Sequence, residues 1–252
     1  MGAAVTPDHR RRTAAALTPP HAGDGGRRYD AGMIVAIDGP AGAGKSSIAK
    51  AVARHLEFDF LDTGAMYRAA TLAVIRHGID FSDIDAVVRC ATRCDIELDG
   101  ERVVLDGEDV SDSIRTPTVT AAIVHIADRP EIRRVMTERQ RAFADARDIV
   151  TEGRDQGTEV FPNAECKIFL TASPLERARR RHRQLLDSGR PQSLEEVLAA
   201  QNQRDAEDAR RPVGSLRPAD DAVTLLTDGM DHDQVVDAAL KIVEDRRQQI
   251  AV

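Results

Sequence analysis

Eight residues, Gly39-Pro40-Ala41-Gly42-Ala43-Gly44-Lys45-Ser46, have the types and spacing of a phosphate-binding loop. They fit G-x-x-x-x-G-K-[ST] at every fixed position. Glycines let the backbone curl with its N–H groups facing inward. Those donors, with the positive end of a following helix, cradle phosphate oxygens. Lys45 is placed to reach the β- and γ-phosphates of a nucleoside triphosphate, and the Ser46 hydroxyl to meet Mg²⁺, with Ser47 on the same turn. An ordinary Gly-rich turn is the bland alternative, and the flanking residues argue against it. Met33 to Ile37 is a short apolar run ending in Asp38 and reads as a buried strand. Ile48, Ala49, Val52 and Leu56 then recur at helical spacing, so strand, loop and helix follow in the order such a site requires.

A second set of residues addresses the acceptor. Arg68, Arg115, Arg133, Arg154, Arg204 and Arg211 sit in or beside turn-like or helix-edge segments. Each alone reads as a solvated charge, but arginine is the natural bidentate clamp for phosphate, and together they suggest a second anionic substrate. Arg177, Arg179, Arg180, Arg181 and Arg183 crowd one helix with a single acidic neighbour, Glu176. Three readings fit that helix: a solvated face, an RNA patch, or a lid closing over a transferring phosphate. The lid reading is favoured, since phosphoryl transfer depends on positioning, charge neutralisation and exclusion of water.

The elements that must position these groups alternate. Ser46 to His55 is expected as a helix, Phe58 to Leu61 as a strand, Ala65 to His77 and Asp83 to Cys94 as helices. The period then changes. Asp95 to Leu98 and Val103 to Leu105, split by Asp99-Gly100, read as a hairpin, and Asp106-Gly107 as a further turn. This antiparallel patch marks an inserted small lobe. Thr118 to Ala127 and Pro130 to Ala146 are expected helices, and Lys167 to Leu170 a strand. Ser173-Pro174 starts the arginine-rich helix, and Ser193 caps a helix running to Ala209. Ala222 to Leu226 is the last strand and Asp231 to Arg246 the last helix. Short apolar strands alternating with helices predict an α/β fold, a parallel sheet covered on both faces.

Composition narrows the functional classes. The net charge of −7 argues against a whole-chain binder of nucleic acid or membranes. With no Trp, two Tyr and six Phe, a base-stacking surface is not expected. No run approaches the length of a membrane span. Cys90, Cys94 and Cys166 lack the partners of a zinc site and read as free thiols of a reducing cytosol. Residues 1–32 lack periodicity and read as a disordered leader. Arg10-Arg11-Arg12 is followed by too short an apolar segment for an export signal, so Met33 is a possible start.

From Met33 to the C-terminus the chain resembles the bacterial cytidylate kinase family. The resemblance is carried by Ile37-Asp-Gly-Pro-Ala-Gly-Ala-Gly-Lys-Ser46, Phe60-Leu-Asp-Thr-Gly-Ala-Met-Tyr-Arg68, Gly107-Glu-Asp-Val-Ser111 with Ile114-Arg-Thr116, Glu152-Gly-Arg-Asp155 with Gly157-Thr158, Val160-Phe-Pro162 and Lys167-Ile-Phe-Leu-Thr-Ala-Ser173. It implies a P-loop NTPase-type core over residues 33–252, with a monophosphate-binding lobe at about 84–124 and a helical lid at about 174–190. It implies transfer from ATP to CMP or dCMP with Mg²⁺, by a cytosolic monomer. By position, Thr63 and Arg68 resemble the residues meeting the monophosphate end. Arg133, Arg154 and Asp155 resemble contacts to phosphate and base, and Arg204, Asp208 and Arg211 those reading the sugar and phosphate. Arg177 and Arg181 resemble catalytic lid residues. Three positions depart from the pattern: Val124 stands where Ser often helps read cytosine, Gln156 where an apolar residue is usual, and Ala209 where Ser is common. A valine cannot hydrogen-bond a base edge. The alternatives are a kinase for another monophosphate or small metabolite, and a non-catalytic nucleotide-binding protein; a pure binder has no need of both a lid cluster and a second anion site.

Overall fold

The computed structural model describes residues 32–250; the leader expectation falls almost wholly on residues outside them. Five parallel strands form the central sheet: β1 (Ile34–Asp38), β2 (Asp59–Asp62), β6 (Ile149–Gly153), β7 (Cys166–Thr171) and β8 (Val223–Leu226), in the order β2-β6-β1-β7-β8. All five residues of β1 are buried, because helices cover both faces. Ile34 and Ala36 join one apolar cluster, while Val35 and Ile37 join the other. That period-two split is the physical meaning of an uninterrupted apolar strand. On one face lie α1 (Lys45–Leu56) and α9 (His232–Ile250), with Ile48, Val52, Val236 and Val243 in the core. The other face packs against α2 (Thr63–Arg76) and α6 (Pro130–Ala144) through Met66, Ala70, Ile132 and Met136.

Register sets the site. Asp38 aligns with Gly153, and Asp62 with Glu152, so the carboxyl ends of β1, β2 and β6 open into one crevice. β1 is flanked by β6 on one side and β7 on the other, the topological switch point where ligands bind in open α/β sheets.

The small lobe is α3 (Ile84–Arg93) followed by an antiparallel sheet of β3 (Ile96–Asp99), β4 (Arg102–Leu105) and β5 (Glu108–Asp109). The hairpin loop is Gly100-Glu101, one residue later than expected; Asp99 still pairs with Arg102, and Gly100 takes the left-handed backbone at φ 59°. Beyond it, the helix expected over Thr118 to Ala127 is two short ones, α4 (Pro117–Ala122) and α5 (Val124–Ala127). The Ile126 N–H turns to the carbonyl of Ile123, three residues back, tightening the chain as Ile126 enters the core. The arginine-rich helix is α7 (Pro174–Asp187), which pairs with α8 (Leu194–Arg210) through Ala178, Leu185 and Val197. Ser173 caps α7, and Ser193 with Glu196 forms a reciprocal capping box at α8. The cysteines are free thiols, as expected.

Candidate active site

The Gly-rich loop joins β1 to α1 with strained backbone where glycine alone fits. Gly39 has φ 152°, and a Cβ there would lie 2.0 Å from the carbonyl oxygen of Leu170 on β7. Gly42 has φ 75°, with Gln201 Nε2 only 2.4 Å from where its Cβ would be. Gly44, at φ 91°, is the residue before α1. Pro40 and Ala41 complete the outer arc, and Ala43 is buried beneath it. Lys45 folds back over this arc and donates to the Pro40 carbonyl at 3.0 Å. It is 5% exposed. Burial, then Arg154, pull its pKa from 10.5 to about 7, against the opposing charges of Glu152 and Asp38. Ser46 Oγ donates to Glu152 Oε1 at 2.8 Å, whereas Ser47 Oγ turns to the Gly44 carbonyl at 2.9 Å and holds the loop.

The turn after β6 and the helix α8 assemble a second cluster. Arg154 Nε donates to Asp208 Oδ2 at 2.9 Å, and Arg211 Nη2 to Asp208 Oδ1 at 2.7 Å, so one carboxylate holds two guanidinium groups. Arg211 also pairs with Asp128 at 2.5 Å. Arg133 forms a buried ion pair with Asp155, donates to the Ala127 carbonyl at 3.0 Å and lies over the Tyr67 ring. The backbone of Gly214 closes on the Arg133 guanidinium so tightly that a Cβ would sit 2.0 Å from Nη2.

Arg204 and Arg68 each sit among further cations, with Asp205 and Asp208 beside the first and Asp62 beside the second. The walls of the cleft strip water from Arg204, and Arg154 and Arg211 add repulsion, so its pKa falls; Asp208 opposes this. Arg68 is pulled down in the same way, by desolvation and then by Arg115 and Arg204. It donates to the Ile114 carbonyl at 3.2 Å and Thr120 Oγ1 at 2.8 Å, which aims it from α2 toward the small lobe. Lys45, Arg68, Arg115, Arg154 and Arg204 thus lie between the loop and the lobe, with Asp38, Asp62, Glu152, Asp205 and Asp208 among them. Such an arrangement is built to receive multiply charged anions.

Two sequence candidates, Thr63 and Arg177, stand differently from expectation. Thr63 is buried, with its hydroxyl donating to the Glu152 carbonyl at 2.7 Å, so it fixes β2 to β6. Arg177 is 5% exposed and tied to the outside of the loop, unlike a free lid cation. It donates to the carbonyls of Ala172 (3.1 Å) and Ala41 (2.9 Å) and to Asp205 (2.6 Å). Arg181, one turn further, is exposed as expected of a lid residue and donates to Gln184 Oε1 at 3.4 Å. Sequence reasoning missed Asp38, Asp62, Glu152, Asp205 and Gln201. Glu152 stood beside Arg154 in the Glu152-Gly-Arg-Asp155 motif, and Asp38 ended the first strand. Asp205 and Gln201 gave no signal, because their partners lie over twenty residues away.

The parallel sheet, the strained loop at its switch point and the cationic cluster facing that loop define a class: a phosphate-loop phosphotransferase. The family model "Cytidylate kinase" matches residues 35–245, and the chain belongs to that family. It is 58% identical over 213 residues to a cytidylate kinase of Rhodopirellula baltica, covering 84% of this chain and 93% of that one. It is 44% identical over 209 residues to one from Caldanaerobacter subterraneus subsp. tengcongensis (83% and 93% covered) and 43% identical over 217 residues to one from Vibrio vulnificus (84% and 96%).

Proposed function

We propose that the protein transfers the γ-phosphoryl group of ATP to CMP or dCMP, giving ADP and CDP or dCDP. The observation that carries this reading is that the strained anion-binding loop at the end of β1 and the Arg154–Asp208–Arg211 cluster after the neighbouring strand β6 open into one crevice. On this reading the β- and γ-phosphates lie on the N–H groups of Gly42 to Ser46, with Lys45 against their oxygens. Arg154, Arg204 and Arg211 hold the acceptor phosphate, which brings its oxygen into line with the γ-phosphorus; Arg68 and Arg115 approach it from the lobe. Arg133 and Asp155, each already half-satisfied by the other, present their remaining polar edges to the base. Arg181 on α7 is an exposed cation that a lid over residues 174–190 would bring to the transferring group.

Mg²⁺ fits the oxygen donors at the loop. Ser46 Oγ and Glu152 are in contact, and Asp62 is pushed up by burial and then by the Glu152 charge, which places two carboxylates and a hydroxyl together. Among the described residues no cluster of three or more His, Cys, Asp or Glu forms a complete metal cage. Ser46 and Glu152 would therefore hold an ion that takes most of its oxygens from phosphate and water. When bound, it supplies charge neutralisation between the β- and γ-phosphates. The same reading makes the protein a cytosolic monomer; among the described residues, no helix is long and apolar enough to cross a membrane.

A coupled assay of ADP release against CMP, dCMP, UMP, AMP and GMP tests the assignment. CMP and dCMP are expected to lead. Equal kcat/KM for AMP and CMP would end the cytidylate assignment and leave a broader monophosphate kinase.

A further inference from the structure

Asp38 is a buried carboxylate to which the proposed chemistry assigns no task. It is the last residue of β1, 5% exposed, directly before the phosphate loop. Its oxygens reach across the sheet to the turn after β6. Oδ1 accepts the Gln156 N–H at 2.9 Å and Oδ2 the Gly157 N–H at 2.7 Å. These two donors open a wide turn, Gln156–Val160, in which Glu159 and Val160 donate to the Asp155 carbonyl and Phe161 to that of Gln156. The first N–H groups of such a turn have no carbonyl partner within it, so Asp38 caps a turn from another strand. Immediately before the turn are Arg154 and Asp155, the residues holding Asp208 and Arg133.

We infer that Asp38 is a positioning residue that fixes the Arg154–Asp155 acceptor clamp to the strand carrying the phosphate loop, so that the acceptor is held in register with the donor. The inference rests on the reading that Arg154 and Asp155 meet the monophosphate. Two charged groups face Asp38: Lys45 from α1, which attracts it, and Asp155 just before the turn, which repels it, so the two N–H bonds and Lys45 are what hold the contact. The Lys167 stem packs against Gly157, where a Cβ would lie 3.2 Å from Lys167 Cδ, so the turn is pressed onto Asp38 from the β7 side. Burial raises the Asp38 pKa to about 6, and the two N–H groups and Lys45 oppose that rise.

Asp38→Asn keeps the shape but presents an amide NH₂ to one of the two N–H donors. One cap bond is lost, and the turn must swing to relieve the donor–donor contact. The expected result is a rise of about tenfold in KM and in the calorimetric Kd for CMP, with KM for ATP changed less than about twofold. Unchanged CMP constants would overturn the inference. So would equal weakening of CMP and ATP with a lowered melting temperature, which is what a merely structural role produces. Amide exchange of the wild-type protein without nucleotide gives an independent check: Gln156 and Gly157 are expected to be protected, and fast exchange at both would overturn the inference even if the variant did not fold. If the wild-type protein phosphorylates another monophosphate in place of CMP, the functional reading fails, and the same two constants are measured for that acceptor.

Discussion

Replacing Lys45 with methionine should make the stability of the nucleotide-free protein depend differently on pH. The folded-state pKa of Lys45, about 7, lies below its ordinary 10.5, so the folded protein binds fewer protons at this site than the unfolded chain. Stability from this group therefore rises as pH rises from about 7 toward 10.5, and falls as pH is lowered. Linkage puts the penalty of holding Lys45 at about 4 kcal/mol at pH 7 and about 2 kcal/mol at pH 9. Asp38 completes most of its change below pH 7, and Cys94 and Cys166, pushed up by burial to about 11 and about 12, weaken stability as pH approaches and passes 9.0 in wild type and variant alike, so their effect cancels in the difference. Lys45→Met removes the titration. Its advantage over wild type should therefore shrink by about 2 kcal/mol between pH 7 and pH 9, read from urea unfolding at each pH. Calorimetry in two buffers adds a functional reading: ATP should return Lys45 to its charged form with uptake of about half a proton at pH 7, absent in Lys45→Met. A stability difference identical at both pH values would refute the argument, since Lys45 would then be fully charged in the empty loop.

Two further outcomes follow from the geometry. Gly42→Ala combines a φ of 75° with a Cβ 2.4 Å from Gln201 Nε2, so it should lose at least about 1–2 kcal/mol in thermal unfolding and weaken ATP binding. Gly64→Ala, with its nearest atom at 3.4 Å and ordinary φ, is the control and should cost far less. Val124 is 45% exposed at the start of α5, so Val124→Ser should raise the kcat/KM preference for CMP over UMP by up to about tenfold, and an unchanged ratio would remove this residue from base reading.

Local signals carried much of this fold into the sequence. The strand before the loop, the loop and α1 were legible because strain, burial and periodicity all occur within about twenty residues. The capped helices α7 and α8 and the hairpin were legible for the same reason, since Ser173, Ser193 and Gly100 act on their own neighbours. Asp38, Gln201 and the pairing of Arg177 were not, because each acts across the fold. Asp38 caps a turn more than a hundred residues away, and Arg177 is neutralised by Asp205, so their sequence context shows only a strand end and a basic helix. The wide turn Gln156–Val160 was also hidden, as its donors are satisfied by another strand. The arginines were legible as a set and not one by one, because the pairing that sorts them is three-dimensional.

Gln156 has a consequence for how this chain can drift in sequence. It is 2% exposed, accepts from Thr151 Oγ1 at 2.9 Å and donates to Gln140 Oε1 at 3.2 Å. Gln140 on α6 is itself 1% exposed and Thr151 on β6 is fully buried. An apolar residue at 156 would leave a hydroxyl and an amide oxygen without these partners inside the core, at about 1–3 kcal/mol for each group. The three positions are therefore coupled: Gln156→Met alone should lower stability more than the same change made together with apolar residues at 140 and 151, read from urea unfolding of the single and triple variants.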